Sequence, residues 1–381
     1  MTPLRVLSIF GTRPEAVKMA PVVQALQAHP NIDSKVCVTA QHREMLDQVL
    51  DLFSIKPDHD LNLMRPDQAL AGLTAELFTH LDPVLAAVQP DWVLVQGDTT
   101  TVMAASLAAF YRGIRVGHVE AGLRTGDRRQ PFPEEINRRV TSVVADLHFA
   151  PTKFSRDNLL REGIPDWRIS VTGNTVIDAL HQIAVSQSPE RVNRWLREWG
   201  IGVDGKKLIL LTAHRRENFG APIRQICTAI ESISQKFGSS VHIVYPVHLN
   251  PNIQAPVHEL LDDLPGVSLV EPVDYLTLIH LMKNAHLVLT DSGGIQEEAS
   301  GLGKPTLVLR EVTERPEGVQ AGVLKLVGAD PDVIMRETSL LLEDPAAYDL
   351  MSRASGVFGD GHAAGRIVDA LLNFDDKALN G

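Results

Sequence analysis

Short β-rich runs alternate with helical patterns along the whole chain, and this alternation restricts the fold more than any other sequence feature. Leu4–Phe10, Lys35–Thr39, Trp92–Val95, Arg115–Val119, Leu147–Phe149 and Ile169–Val171 read as strands, with amphipathic stretches such as Thr101–Tyr111 and Glu134–Val144 between them. A second series follows residue 200: Leu208–Leu211, Val241–Tyr245, Val267–Val270, Leu287–Leu289, Thr306–Leu309 and Leu324–Val327. Strands joined through helices pair in parallel, so each series predicts a parallel sheet covered on both faces. At 381 residues the chain exceeds one ordinary core and suits two α/β domains of roughly 150 to 200 residues each. The expected division is 1–174, 175–360 and a closing segment 361–381, whose helical pattern Ala363–Asn373 crosses back onto the first domain. Ligands bind at the carboxyl ends of strands in such sheets. The predicted fold class is therefore α/β, two Rossmann-like domains facing across a cleft.

Composition narrows the function classes. A formal net charge of -11 with scattered basic residues argues against a nucleic-acid surface, which needs concentrated Lys and Arg. Cys37 and Cys227 lie far apart in apolar runs without metal-type spacing, so buried free thiols and a reducing cytoplasm are expected. No apolar run approaches the roughly 18 residues of a membrane span, and Met1–Phe10 reads as a strand rather than a signal peptide. No partner membrane is expected. His214 and His248 have no HxxxH or Cys/His companions, so no metal is expected either.

Nearly every informative polar cluster falls just after a predicted strand. In TDSGGIQEEASGLGKP (290–305) an apolar strand runs into Ser292, Gly293 and Gly294, and a helical pattern begins at Ile295. Glycines let backbone approach an anion, and N–H groups of the first helical turn point at it with the helix dipole behind them. Glu297 and Glu298 follow where a ribose could offer hydroxyls, which suggests a nucleoside diphosphate; the packing of a parallel α/β corner is the alternative. In FGTRPEAVKMAP (10–21), Arg13 and Lys18 stand near a helix start as phosphate grips or as surface residues. The GxGxxG dinucleotide fingerprint is absent there. Asp98 in VQGDTTT (95–101) is either a helix cap or a working carboxylate. Glu120 in GHVEAGLRTGD (117–127) is costly to bury unless His118 or Arg124 pairs with it or it has a task. Glu134 and Glu135 open a helix in PFPEEINRR (131–139). Separated carboxylates could supply an acid and a base on opposite faces of a substrate. In LTAHRRENFG (211–220), His214 beside Arg215 and Arg216 suits gripping or protonating a leaving phosphate; His248 and Arg315 lie in comparable loops.

These strings, together with AQHREMLDQVL (40–50), GNTVIDAL (173–180), YPVHLNP (245–251) and TERPEG (313–318), resemble the non-hydrolysing UDP-N-acetylglucosamine (UDP-GlcNAc) 2-epimerases of bacteria over nearly the whole chain. The resemblance implies a glycosyltransferase-B type fold, a cytoplasmic homodimer, UDP-GlcNAc as substrate and no cofactor. By matched position Asp98, Glu120, Glu134 and His214 are implicated in catalysis. Arg13, Lys18, Ser292, Gly293, Gly294, Glu298 and Arg315 match positions that hold UDP, with Glu298 on the ribose. Family members often take a second UDP-GlcNAc as allosteric activator, touching Gln41, Glu134, Arg215 and His248 by matched position. Here Glu44 and Asp67 stand where some relatives have Gln and Arg, which sets negative charge against an anionic effector.

The chemistry the resemblance implies explains such a residue set. The hydrogen on C2 of the sugar is not next to a carbonyl, so simple deprotonation at neutral pH is out of reach. If UDP departs from C1 while a base removes that hydrogen, 2-acetamidoglucal and UDP form, and re-addition with the hydrogen delivered to the other face gives UDP-N-acetylmannosamine (UDP-ManNAc) for surface polysaccharide. Basic groups and a helix N-terminus would stabilise the departing diphosphate. The alternatives are a UDP-sugar glycosyltransferase, a hydrolysing 2-epimerase, and, outside the enzymes, a nucleotide-sugar sensor.

Overall fold

The computed structural model describes residues 2–39, 43–63, 68–202, 204–353 and 356–374. Two compact units emerge: Met1–His181 with Phe358–Gly381, and Gln182–Val357. Both are Rossmann-like parallel α/β layers, as the alternation predicts.

Unit 1 runs β1 (Leu4–Phe10), α1 (Arg13–Ala28), β2 (Ile32–Val38), α2 (Arg43–Leu52), β3 (His59–Asp60), α3 (Leu70–Val88), β4 (Trp92–Gln96), α4 (Thr100–Tyr111), β5 (Arg115–Val119), α5 (Glu134–Val144), β6 (Leu147–Ala150), α6 (Lys153–Arg161) and β7 (Ile169–Val171). Its seven strands are all parallel in the order β3-β2-β1-β4-β5-β6-β7, so the order reverses between β1 and β4. β4 and β5 are almost wholly buried, and Leu7, Ile9, Val93, Val95 and Val116 pack against Leu77, Leu81, Val102 and Ala105. β4 accordingly reads as a continuous apolar run from Trp92 to Val95 rather than an alternating one.

Unit 2 follows α7 (Thr175–Ala184), the helix on which the chain passes from one unit to the next. It comprises α8 (Glu190–Glu198), β8 (Lys207–Thr212), α9 (Ala221–Phe237), β9 (Val241–Pro246), α10 (Pro251–Leu261), β10 (Val267–Val270), α11 (Tyr275–Asn284), β11 (Ala285–Thr290), α12 (Gly293–Gly301), β12 (Thr306–Val308), α13 (Pro316–Gln320), β13 (Leu324–Leu326), α14 (Pro331–Glu343) and α15 (Pro345–Ser352). Six parallel strands in the order β10-β9-β8-β11-β12-β13 reverse between β8 and β11. Leu211, Ile226, Ile230, Ile243, Leu287 and Leu289 fill the core of this sheet.

The chain returns to unit 1 as α16 (Ala363–Leu372), which packs on α1. Asp178 receives the α16 N-terminus, accepting from the Ala363 and Ala364 N–H groups at 3.2 and 2.9 Å. Ile367, Val368 and Leu371 are buried, and Phe374 meets Trp92 edge-on at 4.9 Å. Cys37 and Cys227 are free and buried, and burial pushes both thiols up to about 12. Among the described residues no helix is long and apolar enough to cross a membrane.

Candidate functional site

In a doubly wound sheet the loops at the carboxyl ends of strands diverge where the strand order reverses, leaving room for a ligand. The candidate residues of unit 1 gather around that position. Glu120 directly follows β5 and has φ 62°, the left-handed region that a non-glycine residue enters at a cost of about 1–3 kcal/mol. Its carboxylate is buried. One oxygen accepts from Lys18 Nζ and from Asn174 Nδ2 (2.9 Å), the other from Gln96 Nε2. The sequence offered His118 or Arg124 as its partner, and the structure uses neither. Arg124 pairs with Glu162 at 2.7 and 2.8 Å, and His118 Nε2 lies 2.7 Å from the Gly97 carbonyl, to which it donates. Burial lowers His118 to about 4, so it is neutral at pH 7 and Lys18 is the cation that balances Glu120. Lys18, expected at a phosphate, thus sits on a carboxylate.

Asp98 follows β4 and receives Arg138 Nη2 at 2.7 Å, while its carbonyl receives Asn137 Nδ2 at 3.0 Å. Capping of α4 falls instead to Thr99, whose hydroxyl accepts from Val102 N. Since Asn137 and Arg138 belong to α5, this helix is fixed to the β4 corner, with half-buried Glu134 in its first turn. Its neighbour Glu135 is fully buried and holds the loop before the helix through the Thr125 and Gly126 N–H groups at 3.1 and 3.3 Å. Arg13 is the half-buried first residue of α1.

One further carboxylate belongs to this constellation and escaped the sequence reading. Glu15 accepts from Gly11 N (2.8 Å), Thr12 N (2.6 Å) and Thr99 Oγ1 (2.6 Å). The signal was present, because Thr12 and Glu15 form a capping box at the start of α1. Asn174 and Gln96 carried no local signal, since each reaches Glu120 only through the fold.

The candidate residues of unit 2 flank its own reversal point. Helix α12 begins at Gly293 rather than at Ile295, so the two glycines form its first turn. Ser292 is the N-cap residue, yet its hydroxyl makes no capping bond. A Cβ at Gly293 would lie 2.6 Å from Arg315 Nη1, so a side chain there would displace the guanidinium. Arg315 is held over the helix start by Glu297 and Glu314, each at 2.7 Å. Glu298 is buried and accepts from Tyr275 OH at 3.0 Å. The corner after β8 places His214, whose ring stacks on exposed His248 with centroids 5.6 Å apart. Arg215 is half-buried and Arg216 exposed beside it. Gln41 and Asp67 lie outside the described residues, as does the side chain of Glu44.

The relatives of this chain decide its family. A sequence-family model for UDP-N-acetylglucosamine 2-epimerase matches residues 24–372. The UDP-N-acetylglucosamine 2-epimerase of Salmonella typhimurium is 55% identical over 373 residues, covering 97% of this chain and 99% of its own. The chain belongs to the UDP-N-acetylglucosamine 2-epimerase family. Solved structures of similar proteins include the Neisseria meningitidis UDP-GlcNAc 2-epimerase bound to UDP-GlcNAc, at TM-score 0.91 and 50% identity over 97% of this chain and all (100%) of that one. S. aureus MnaA in complex with UDP superposes at TM-score 0.88 with 45% identity, over 99% and 97% of the two chains. Family membership accounts for two Rossmann-like layers in one chain.

Proposed function

We propose that the protein interconverts UDP-GlcNAc and UDP-ManNAc by eliminating UDP to 2-acetamidoglucal and adding it back. The observation that carries this reading is Glu120: a buried carboxylate on a left-handed backbone, held by Lys18, Gln96 and Asn174. Two neutral donors and one cation favour the charged form of this carboxylate. A buried carboxylate can take a proton from C2 or stabilise the oxocarbenium charge that grows at C1 as the C1–O bond breaks. Asp98, Glu120 and Glu134 share these roles on the two faces of the sugar.

The electron pair of the breaking C1–O bond passes to the β-phosphate oxygen. Arg13, Arg315 and the first N–H groups of α12 bind that charge, His214 assists there, and Glu298, oriented by Tyr275, takes the ribose. Re-addition of the same oxygen to C1, with a proton delivered to the opposite face of C2, completes inversion without net consumption of any reagent. No cofactor is needed, because the leaving group itself supplies the driving force for opening C2. We further propose that the enzyme is a cytoplasmic homodimer, supplies surface polysaccharide synthesis, and binds a second UDP-GlcNAc as activator near Gln41, Arg215 and His248.

Incubation with UDP-GlcNAc in deuterium oxide, followed by proton NMR, tests the central reading. UDP-ManNAc carrying deuterium at C2, with deuterium also entering the substrate pool, is the expected result. Free N-acetylmannosamine with stoichiometric UDP would assign a hydrolysing enzyme instead, and an unchanged substrate spectrum with tight binding would assign a sensor.

A further inference from the structure

Asp291, the residue between β11 and the N-cap of α12, is completely buried (0% exposed) although nothing in its sequence context suggests a partner. One of its oxygens, Oδ2, is saturated: it accepts from His214 N (2.8 Å), Arg215 N (2.8 Å) and Asn218 Nδ2 (2.9 Å). Its own N–H donates to the Thr212 carbonyl at 3.2 Å, so the residue ties the β11 corner to the β8 corner. The other oxygen, Oδ1, is buried, has no hydrogen-bond partner among the described residues, and faces His214 Nδ1 at 3.7 Å. That separation exceeds a hydrogen bond and lies within ion-pair reach, so a small rotation of the ring closes it. A carboxylate with one oxygen spent on backbone and the other left for an imidazole is the arrangement that fixes a histidine tautomer.

The surroundings of the ring favour the same outcome. His248, in the loop after β9, stacks on it at 5.6 Å with 19° between the planes. Beneath the loop, Tyr245 of β9 donates to the Ala213 carbonyl at 2.7 Å, and its phenol is pushed well up, first by burial and further by Cys227 and Asp291. Arg215 and Arg216 follow in the same loop, and Glu217 is engaged by Arg310. With Nδ1 turned to Asp291, Nε2 lies at the far side of a ring that keeps 36% of its side-chain surface exposed.

We propose that Asp291 is a positioning residue for His214: its Oδ1 holds the imidazole as the Nδ1–H tautomer and favours the imidazolium, so that the Nε2 edge presents a proton and positive charge to the departing diphosphate. This rests on the reading that His214 acts at the diphosphate. In the elimination direction Nε2–H donates to the oxygen that leaves C1, and in the reverse direction it takes that proton back, so the histidine is restored in each full cycle.

The test compares the wild type, Asp291→Asn, His214→Gln and the double variant in UDP-GlcNAc epimerisation as a function of pH, together with nitrogen-15 NMR of the His214 imidazole in the ligand-free wild type. Asp291→Asn is expected to lower kcat by about 10- to 100-fold, the range for partners that orient an imidazole, and to change KM by less than about threefold. The basic limb of the kcat profile should move to lower pH, because the imidazolium loses its counter-charge. In the His214→Gln background the same substitution should lower kcat by less than about twofold, since its effect passes through the ring. NMR should show Nδ1–H in the neutral wild-type ring.

An equal loss in both backgrounds, an unmoved basic limb, wild-type turnover in His214→Gln, or an Nε2–H tautomer would each overturn the proposal. If Asp291→Asn does not fold, the tautomer of the unaltered protein decides. If the wild type turns over no UDP-GlcNAc, the proposed activity fails, whereas the tautomer still decides whether Asp291 sets the ring.

Discussion

Thr99 Oγ1 donates to Glu15 Oε1 across 2.6 Å, joining the corner after β4 to the corner after β1. The two strands are neighbours at the point where the sheet order reverses, and Asp98 precedes Thr99 directly. Removing the Glu15 carboxylate leaves the Gly11 and Thr12 N–H groups and the Thr99 hydroxyl without their acceptor. Glu15→Ala should therefore destabilise the protein by about 2–4 kcal/mol, several unmet donors being involved. Urea unfolding measures this, and a loss below about 0.5 kcal/mol, the level of an ordinary surface change, would show that the corners do not depend on it.

Glu120→Gln keeps the side-chain shape but presents an amide to donors that need an anion. Exchange of the C2 hydrogen with solvent deuterium should fall by about 10²- to 10⁴-fold, the usual worth of general acid–base catalysis, while UDP still binds. Proton NMR and calorimetry report the two quantities separately. Exchange at the wild-type rate would remove Glu120 from the proton path.

The two glycines opening α12 should respond differently to alanine. At Gly293 a Cβ would lie 2.6 Å from Arg315 Nη1 and force the guanidinium away, whereas at Gly294 a Cβ meets nothing within 4 Å. Gly293→Ala is expected to weaken UDP binding by about tenfold, the loss of one charge-assisted contact. Gly294→Ala should leave folding stability within about 1 kcal/mol of the wild type, or raise it. Equal UDP affinity in Gly293→Ala and wild type would separate Arg315 from the diphosphate.

Acid should weaken the fold well above the carboxylate range. Burial lowers His118 to about 4, His148 to about 3, and His242 and His286 to about 4. Once the pH falls below about 6.5 the unfolded chain binds protons at these rings and the folded chain does not, so stability drops as the pH falls through that window. Glu15 and Asp178, raised by burial, act in the opposite sense just above their unfolded values, because the folded state keeps their protons longer. Urea midpoints at pH 7 and pH 5 test this, and His148→Leu should flatten the slope. A midpoint that stays constant across the window would contradict it.

Asp178→Ala removes the acceptor for the first two N–H groups of α16, a capping loss of about 0.5–2 kcal/mol. Amides of residues 363–372 should then exchange with deuterium faster than those of β4 and β5. Protection unchanged along α16 would mean that the packing of Ile367 and Leu371 alone secures it.

What the sequence made legible follows from how far each signal reaches. β1, β5, β7 and β10 lie where the short β-rich runs between helical patterns put them. The two-residue strand β3 left no such run, because His59 and Asp60 merely extend the sheet edge beside β2. The glycine and carboxylate positions singled out in the sequence lie at strand ends, as their spacing after apolar runs predicts. Their partners were not legible: Asn174 reaches Glu120, and Asp291 reaches His214, across dozens of residues that only the completed sheets bring together. The apolar-to-polar pattern registers where a corner is, not which donor will turn toward it.

Unit 1 is built from two stretches of chain with all of unit 2 between them. A ribosome therefore delivers every strand of the second sheet before it delivers α16, so unit 2 is able to close as it emerges while unit 1 waits with the flank of α1 and the ring of Trp92 uncovered. α16 thus completes a domain whose strands all precede unit 2 in the chain.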